Sequence, residues 1–565
     1  MKHSTLLASV LALVGCSTSD TPLDPPVVTD VDPQPAALRI TPGALTVTIV
    51  DGAPVVQAFT ATMVADDGTE RDVTSATTWS LADGGFGSVD GATLTLTGTG
   101  AGPTALVAMA GGLTATAPVT VHVRGTIVDD TAPSNAAEMF GRAVDTAGCA
   151  PSIAYPADQL IVPANLGRFD VQWRDPRNDL FAIAIHNTYV DLTIYTATNG
   201  SYAIADRWPA IASARAETSM QLTGLATSSP ETKCASAPRR FGVTNEDALG
   251  GVYYWSSNGT MRHDLRRPGA AAETFQLEGG SCIGCHAVSR DGTRIAVTRD
   301  HANGRGAVLD LAEGRSMMPA DATTRWNGAT FTPDGDKLLT IQHGEMTLLA
   351  ADGGAVLTTV ENPAGTLAGS PELSPDGTRL AYVQTTGTSD WAYGDASIVI
   401  RSFDETTNTF GDAQVVLPFD DASGLQSYYP SWSPDGQWLA ITRSTHGSSY
   451  ANPDATIWVI KADGSLPPLP ISTTTGFTES GATWLPTAHT LGRQQEPMFF
   501  LSFASTRAYG TTLANGMASQ IWVAPFFPAR ATAGLSATGP AHHAPYQDVR
   551  ANNHSPRWGA AIVGL

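Results

Sequence analysis

Short runs in which apolar and polar residues alternate, each closed by Gly, Asp or Pro, fill most of this chain from Ala37 onward. Between residues 37 and 125 they read "LRITP", "LTVTIV", "TALVAMA" and "VTVHV". A period of two puts every second side chain on one face, so these are half-buried strands, and their density predicts a β-sandwich over 37–125. A second β unit follows over 150–265. It opens with "AYPADQLIVPANLGRFDVQW", Ala154 to Trp173, and closes with "GGVYYWSSNGTMRHDL", Gly250 to Leu265, two strands about an Asn258-Gly259 turn. Those last two strands belong either to this second sandwich or to the outer part of a blade further along. Residues 126–149 read as a linker between the two units.

Beyond residue 266 the pattern repeats. "SRDGTRIAV" starts at Ser289, "TPDGDKLLT" at Thr332, "SPDGTRLAY" at Ser374 and "SPDGQWLAI" at Ser433, at spacings of 43, 42 and 59 residues. A period of this size predicts a β-propeller, in which each unit is a four-stranded blade unable to bury its own faces. Asp-Gly makes the tight turn, the Gly accepts a positive φ, and the apolar strand after it packs on neighbouring blades. Two degenerate copies align on the Trp of "YPSWSPDG": "SGATWLP" at Trp484 and "NNHSPRWGAAIV" at Trp558. Six copies predict roughly six blades over 266–565, each copy opening an innermost strand behind a loop at the channel mouth. The final copy ends after one strand, so closure must draw strands from upstream, and "VYYWSSNGTMRHDL" is the obvious donor.

Charge narrows the partners. Across 565 residues, 32 basic and 53 acidic side chains leave a net charge of −21, which repels nucleic acid and anionic lipid headgroups. The chain carries no GxSxG elbow, HExxH helix, Walker loop or dinucleotide fingerprint, and its carboxylates are scattered through turns. An electron carrier or a binding protein is therefore expected ahead of an enzyme.

The N-terminus reads as a targeting segment: Lys2 and His3, an apolar run from Leu6 to Val14, then Gly15 and Cys16. The run is too short to span a bilayer as a mature helix. Residues 17–36, rich in Thr, Asp and Pro, read as a disordered tether. Export would permit disulfides, and among the five cysteines Cys149 and Cys234 are left either to pair or to remain two thiols.

The remaining two cysteines sit in "SCIGCH", where Cys282, Cys285 and His286 form CxxCH. At this spacing two thiols can bond the vinyl groups of one haem c while the adjacent imidazole reaches iron from the proximal side. The competing reading is a local disulfide or dithiol pair with His286 incidental. Zinc would need a second pair of ligands at metal spacing, and no further Cys pair exists. Matching the copies places Cys285 opposite Tyr429 and His286 opposite Pro430, hence at the channel mouth. The same matching puts His554 opposite Tyr428 in the closing blade next to the first, so His554 is the expected distal metal ligand, with Met317 or Met318 as the alternative. His301, His343, His446, His542 and His543 are weaker candidates. Trp326, Tyr428, Tyr429, Trp432 and Trp558 could line the mouth, most of them as blade packing.

Several of these segments resemble known families. "LVGC", Leu13 to Cys16, resembles the lipobox of bacterial lipoproteins, which implies a diacylated Cys16 anchoring the chain to the cell envelope, at the outer membrane given Ser17; an ordinary secretory signal with a chance Cys is the other reading. "DGTERDVTSATTWS", Asp67 to Ser80, with "VTVHV" resembles the bacterial immunoglobulin-like group 2 domain, usually a spacer. The unit over 150–265 resembles a divergent fibronectin type III module. The Pro-Asp-Gly set resembles the six-bladed TolB-like propeller. Together these imply an all-β envelope lipoprotein bearing one covalent haem, moving electrons to a redox or envelope partner or sensing a ligand. The alternative is a propeller scaffold that docks a protein or glycan, with haem structural or absent.

Overall fold

The computed structural model describes residues 34–276, 283–299, 303–319, 324–387, 389, 391–448, 452–471 and 476–563. The expectations that fall on Cys16, Cys282 and His301 lie outside those residues. Among the described residues no helix is long and apolar enough to cross a membrane. The fold is all-β: sandwich sheets lead into a six-bladed propeller.

The first blade orders its strands as Ile283–Val288, Arg294–Arg299, Gly304–Asp310 and Arg315–Met318, each antiparallel to the next. The next four blades start from the inner strands Gly328–Phe331, Leu367–Leu373, Gln426–Trp432 and Glu479–Leu491. In the sixth, the C-terminal strand Asn553–Gly559 pairs with Gly251–Ser256, which pairs with Gly259–Asp264 and then Glu273–Thr274. The two ends of the propeller thus close one blade and leave no open edge at the seam. This corrects the boundary at 265: strands 251–264 belong to the propeller because the lone C-terminal strand would otherwise expose an unpaired ladder.

The repeated motif is the first hairpin of each blade rather than the opening of its inner strand, a second correction. The innermost strand ends just before it. Ser289 Oγ donates to Asp291 Oδ1, which also accepts from Thr293 N, and Gly292 N closes the turn on Ser289 O. Thr332, Ser374 and Ser433 repeat this with Asp334, Asp376 and Asp435. Each turn ends on a glycine of positive φ, from +66° to +80° at Gly436, Gly377, Gly335 and Gly292. Neighbouring blades are tied by indoles: Trp432 Nε1 donates to Glu372 O at 3.0 Å and Trp484 Nε1 to Ser431 O at 2.9 Å.

The N-terminal half departs from two beads on a linker. Strand Leu113–Val128 runs across the expected boundary at 125 and pairs in parallel with Val190–Thr196, merging both units into one 11-stranded sheet. The expected linker 126–149 contributes to it at both ends, through residues 126–128 and through Val144–Asp145 paired to Thr232–Lys233, with a helix at Ala136–Arg142 between them. Strand Pro35–Thr41 likewise begins inside the expected tether. Cys149 and Cys234 are joined by a disulfide, Cα to Cα 5.4 Å, beside this sheet edge. The sandwich packs on the propeller through one continuous apolar core and through polar ties such as Gln172 Oε1, which accepts from Thr511 N at 2.8 Å.

Candidate functional site

The innermost strands bend at a shared place. In the first blade the register passes from Ile283 opposite Arg299 to His286 opposite Val297, so Gly284 and Cys285 together face the single residue Thr298. This is a β-bulge, which kinks a strand and re-aims its side chains. Ser370 and Pro371, Tyr429 and Pro430, Gly481 and Ala482, and Ser555 and Pro556 form the bulges of blades three to six, shifted one residue towards the end of the strand relative to the first blade. Ser370, Tyr429 and Ser555 adopt φ of +44°, +56° and +54° there, a conformation that non-glycine residues take only where the surroundings hold it.

The bulges face a central cavity of about 1010 Å³ enclosed by all six blades. Cys285 and His286 line it, and they do so from the innermost strand, not from a mouth loop as the repeat alignment suggested. The reason is the hairpin: a turn that follows the strand carries the preceding residues inside the channel. Cys285 is half-buried, its amide donating to Thr298 Oγ1 at 2.7 Å and its Sγ lying 3.7 Å from Asn327 Oδ1. His286 is buried, with Nε2 3.4 Å from Tyr253 O. Burial, then the Arg557 charge, pushes its pKa down to about 4, so the imidazole is neutral. His554 lies close enough to His286 to interact electrostatically, lines the same cavity, packs on Trp255 at 4.5 Å between ring centroids, and is itself pushed by burial to about 4.

The other candidates disperse. Met317 and Met318 are buried in the packing between the first two blades, with Trp326 and Phe331, and do not reach the cavity, which removes them as ligands. They sit on the blade's outermost strand, where apolar filler is what the packing requires. His343 occupies the exposed hairpin turn of blade two, and His446 is bonded to Asp454 on the rim. His542 and His543 are buried where the propeller meets the sandwich, His542 Nδ1 at 3.1 Å from Ile161 O and His543 stacked on Tyr509. Tyr429, Trp432 and Trp558 line the cavity, while Trp326 and Tyr428 are packing.

Three cavity residues went unread in the sequence. Glu372 stands on the inner strand of blade three, Arg557 on that of blade six, and Arg290 in the first turn. Glu372 Oε1 accepts from Ser431 Oγ and Trp432 N, both at 3.1 Å; burial raises its pKa, and the Arg557 and Arg290 charges oppose that rise. Their signal was in the repeat: two residues before each Ser or Thr of the turn stand Ala287, Thr330, Glu372 and Ser431, with Arg557 at the matching place.

The donor set fits a covalently held porphyrin: a half-buried thiol, two neutral imidazoles and an aromatic-walled cavity within the size of cofactor sites. Among the described residues no three His, Cys, Asp or Glu side chains cluster as a metal site; a porphyrin iron asks the protein only for axial ligands.

No family model and no curated protein matches the chain. Among solved structures it is similar to TolB from Acinetobacter baumannii, at 14% identity over 60% of this chain and 79% of that one, with a TM-score of 0.35. It is also similar to hydrazine synthase from Kuenenia stuttgartiensis, at 12% identity over 45% and 67%, with a TM-score of 0.30. Scores this low carry no argument about function, and the propeller stands on its own sheet order.

Proposed function

We propose that this protein is a c-type haem propeller of the bacterial envelope, anchored through lipid on Cys16, that carries electrons or senses a redox ligand. The observation that carries the reading is the ending of CxxCH on the cavity wall, with Cys285 and His286 both lining it and His554 beside them. Cys282 and Cys285 would supply the thioether attachments, His286 the proximal ligand and His554 the distal one. An attached haem supplies one-electron redox chemistry. The chain's own part is to hold both imidazoles neutral by burial, to surround the site with Trp255, Trp432 and Trp558, and to close the channel wall by the seam between first and sixth blades.

A second reading has one specific support. His286 Nε2 is 3.4 Å from the Tyr253 carbonyl, an arrangement that satisfies the ring without iron and suits a binding channel of scaffold type. One experiment separates them: expression with cytochrome c maturation machinery, followed by acid-acetone extraction. A Soret band that stays with the protein and disappears in Cys282→Ala and Cys285→Ala supports the haem reading; a colourless protein overturns it in favour of the scaffold. An unaltered reduced spectrum in His554→Ala would remove His554 as ligand.

A further inference from the structure

The charge inside the channel has the opposite sign to the charge of the chain. Net charge is −21, yet among the described residues the charged ones lining the cavity are two guanidiniums, Arg290 and Arg557, and a single carboxylate, Glu372. These described side chains give the lining a surplus positive charge whatever the state of its histidines.

The ladder shows why that surplus is not quenched internally. Ala287, Thr330, Glu372, Ser431, Thr483 and Arg557 occupy one equivalent inner-strand position, facing Ala296, Leu339, Ala381, Ala440, Ser502 and Tyr253. Four of the six are small, so this level of the channel is open. Glu372 and Arg557 stand on the third and sixth blades, which oppose one another in a ring of six. Arg557 is therefore held across the channel from the carboxylate, where the two charges interact without an ion pair within 4.0 Å. Glu372 Oε1 is already taken by Ser431 and Trp432.

Arg290 is brought to the same region by the seam. Its carbonyl accepts from Ala560 N at 2.7 Å, which fixes the turn against the end of the Arg557 strand. Pro333 and Pro434 fill its place in the second and fourth copies, so the turn itself does not require a cation there. Neither guanidinium makes a side-chain hydrogen bond or an ion pair within 4.0 Å among the described residues; Glu372 attracts both, and Asp376 attracts Arg290, only over longer distances. A half-buried guanidinium without a hydrogen-bond acceptor is costly, and its planar fork matches a carboxylate in two-pronged fashion.

We propose that Arg290 and Arg557 form a carboxylate-binding site in the propeller channel. The carboxylate belongs either to a diffusible organic acid or to a propionate of an attached porphyrin; the site itself does not depend on the haem reading. The ring of small residues gives the anion room, and Glu372 sets its limit on the far side by repulsion.

The test is titration calorimetry with succinate at low ionic strength, on wild-type protein produced with haem maturation and on the haem-free Cys282→Ala/Cys285→Ala protein. Saturable binding is expected to the haem-free form, weaker by about tenfold or more in Arg557→Gln and in Arg290→Gln. Arg39→Gln, which alters an exposed pair with Glu70, is the unaffected control. Binding retained in the wild-type preparation identifies a diffusible acid as the ligand, and binding lost only when haem is attached identifies a propionate. Absence of saturable binding to the haem-free protein, or Gln variants within about twofold of their parent, overturns the site. Should Arg557→Gln fail to fold, Arg557→Lys keeps the charge without the fork and is expected to weaken binding by several-fold while leaving the melting curve in place.

Discussion

The innermost strands of the first and fourth blades both have a two-residue bulge and the same turn after them, and they differ in what occupies one place, the pair three and four residues before that turn. In the fourth blade Tyr429 and Pro430 occupy it, and Tyr429 packs edge-on against Tyr428 and Tyr393. In the first blade the equivalent residues are Cys285 and His286, a thiol and an imidazole on the cavity wall. The backbone is common property of the repeat. What distinguishes a packing strand from a reactive one is two side chains, and this is the economy of a propeller: one blade can be altered without asking the others to refold.

The sharpest way to break that comparison is Cys285→Ser. On the haem reading it is expected to weaken the acid-stable Soret band strongly, since only Cys282 would remain to hold the porphyrin, while the thermal midpoint stays within a few degrees because the thiol contributes little packing. Ser370→Ala, at the same distance before the turn in blade three, should leave the band unchanged, and an equal effect from both would show that the first blade is not special.

Next in size is the tie between blades. Trp432 is nearly fully buried and its indole bonds the Glu372 carbonyl, so Trp432→Ala is expected to cost about 3–5 kcal/mol in urea unfolding. A loss below about 1 kcal/mol would mean that the indole ties do not hold the ring together.

Acid comes third. His542 and His286 are pushed from 6.5 to about 4 by burial, so the unfolded chain takes up protons on them at a pH where the native one does not. Stability is complete above pH 6.5 and falls as pH drops towards 4, by roughly 3 kcal/mol for a fully buried histidine. His542→Gln should flatten that fall in unfolding curves measured between pH 7 and 4.5; a variant with the wild-type slope would place the acid sensitivity elsewhere. The same experiment on His286→Gln tells whether the channel and the sandwich contact share the effect.

The smallest effect expected is at the bulge itself. Ser555 has φ of +54°, so Ser555→Gly trades a modest strain for chain entropy and should shift stability by no more than about 1 kcal/mol. A larger loss would reveal that the contact of its hydroxyl with His554 Nδ1, 3.2 Å, positions that imidazole.

Much of the architecture was legible because its causes are local. A Ser or Thr, an Asp and a Gly make the same hydrogen-bonded turn wherever they recur, so four copies announce blades before any long-range contact is known. The two strands that complete the sixth blade were legible too, as alternating runs about the Asn258-Gly259 turn. Two errors had one origin, the reading of local pattern where register decides. The turn reads locally as a strand opening, which would set Cys285 and His286 at the mouth rather than on the wall. The sandwiches read as separate units, because nothing near Val123 says that it pairs with Val190, a parallel neighbour 67 positions further along the chain.

By itself, then, the sequence determined the blade repeat, the six-fold count, the all-β class and the presence of a CxxCH motif, all of which follow from residue type at short spacing. Only the tertiary structure decided that the bulge turns Cys285 into the channel, that His554 approaches His286 across the seam, and that Arg557 faces Glu372 from the opposite blade. Those relations depend on ring closure, and closure brings together residues whose separation along the chain carries no trace of their distance in space.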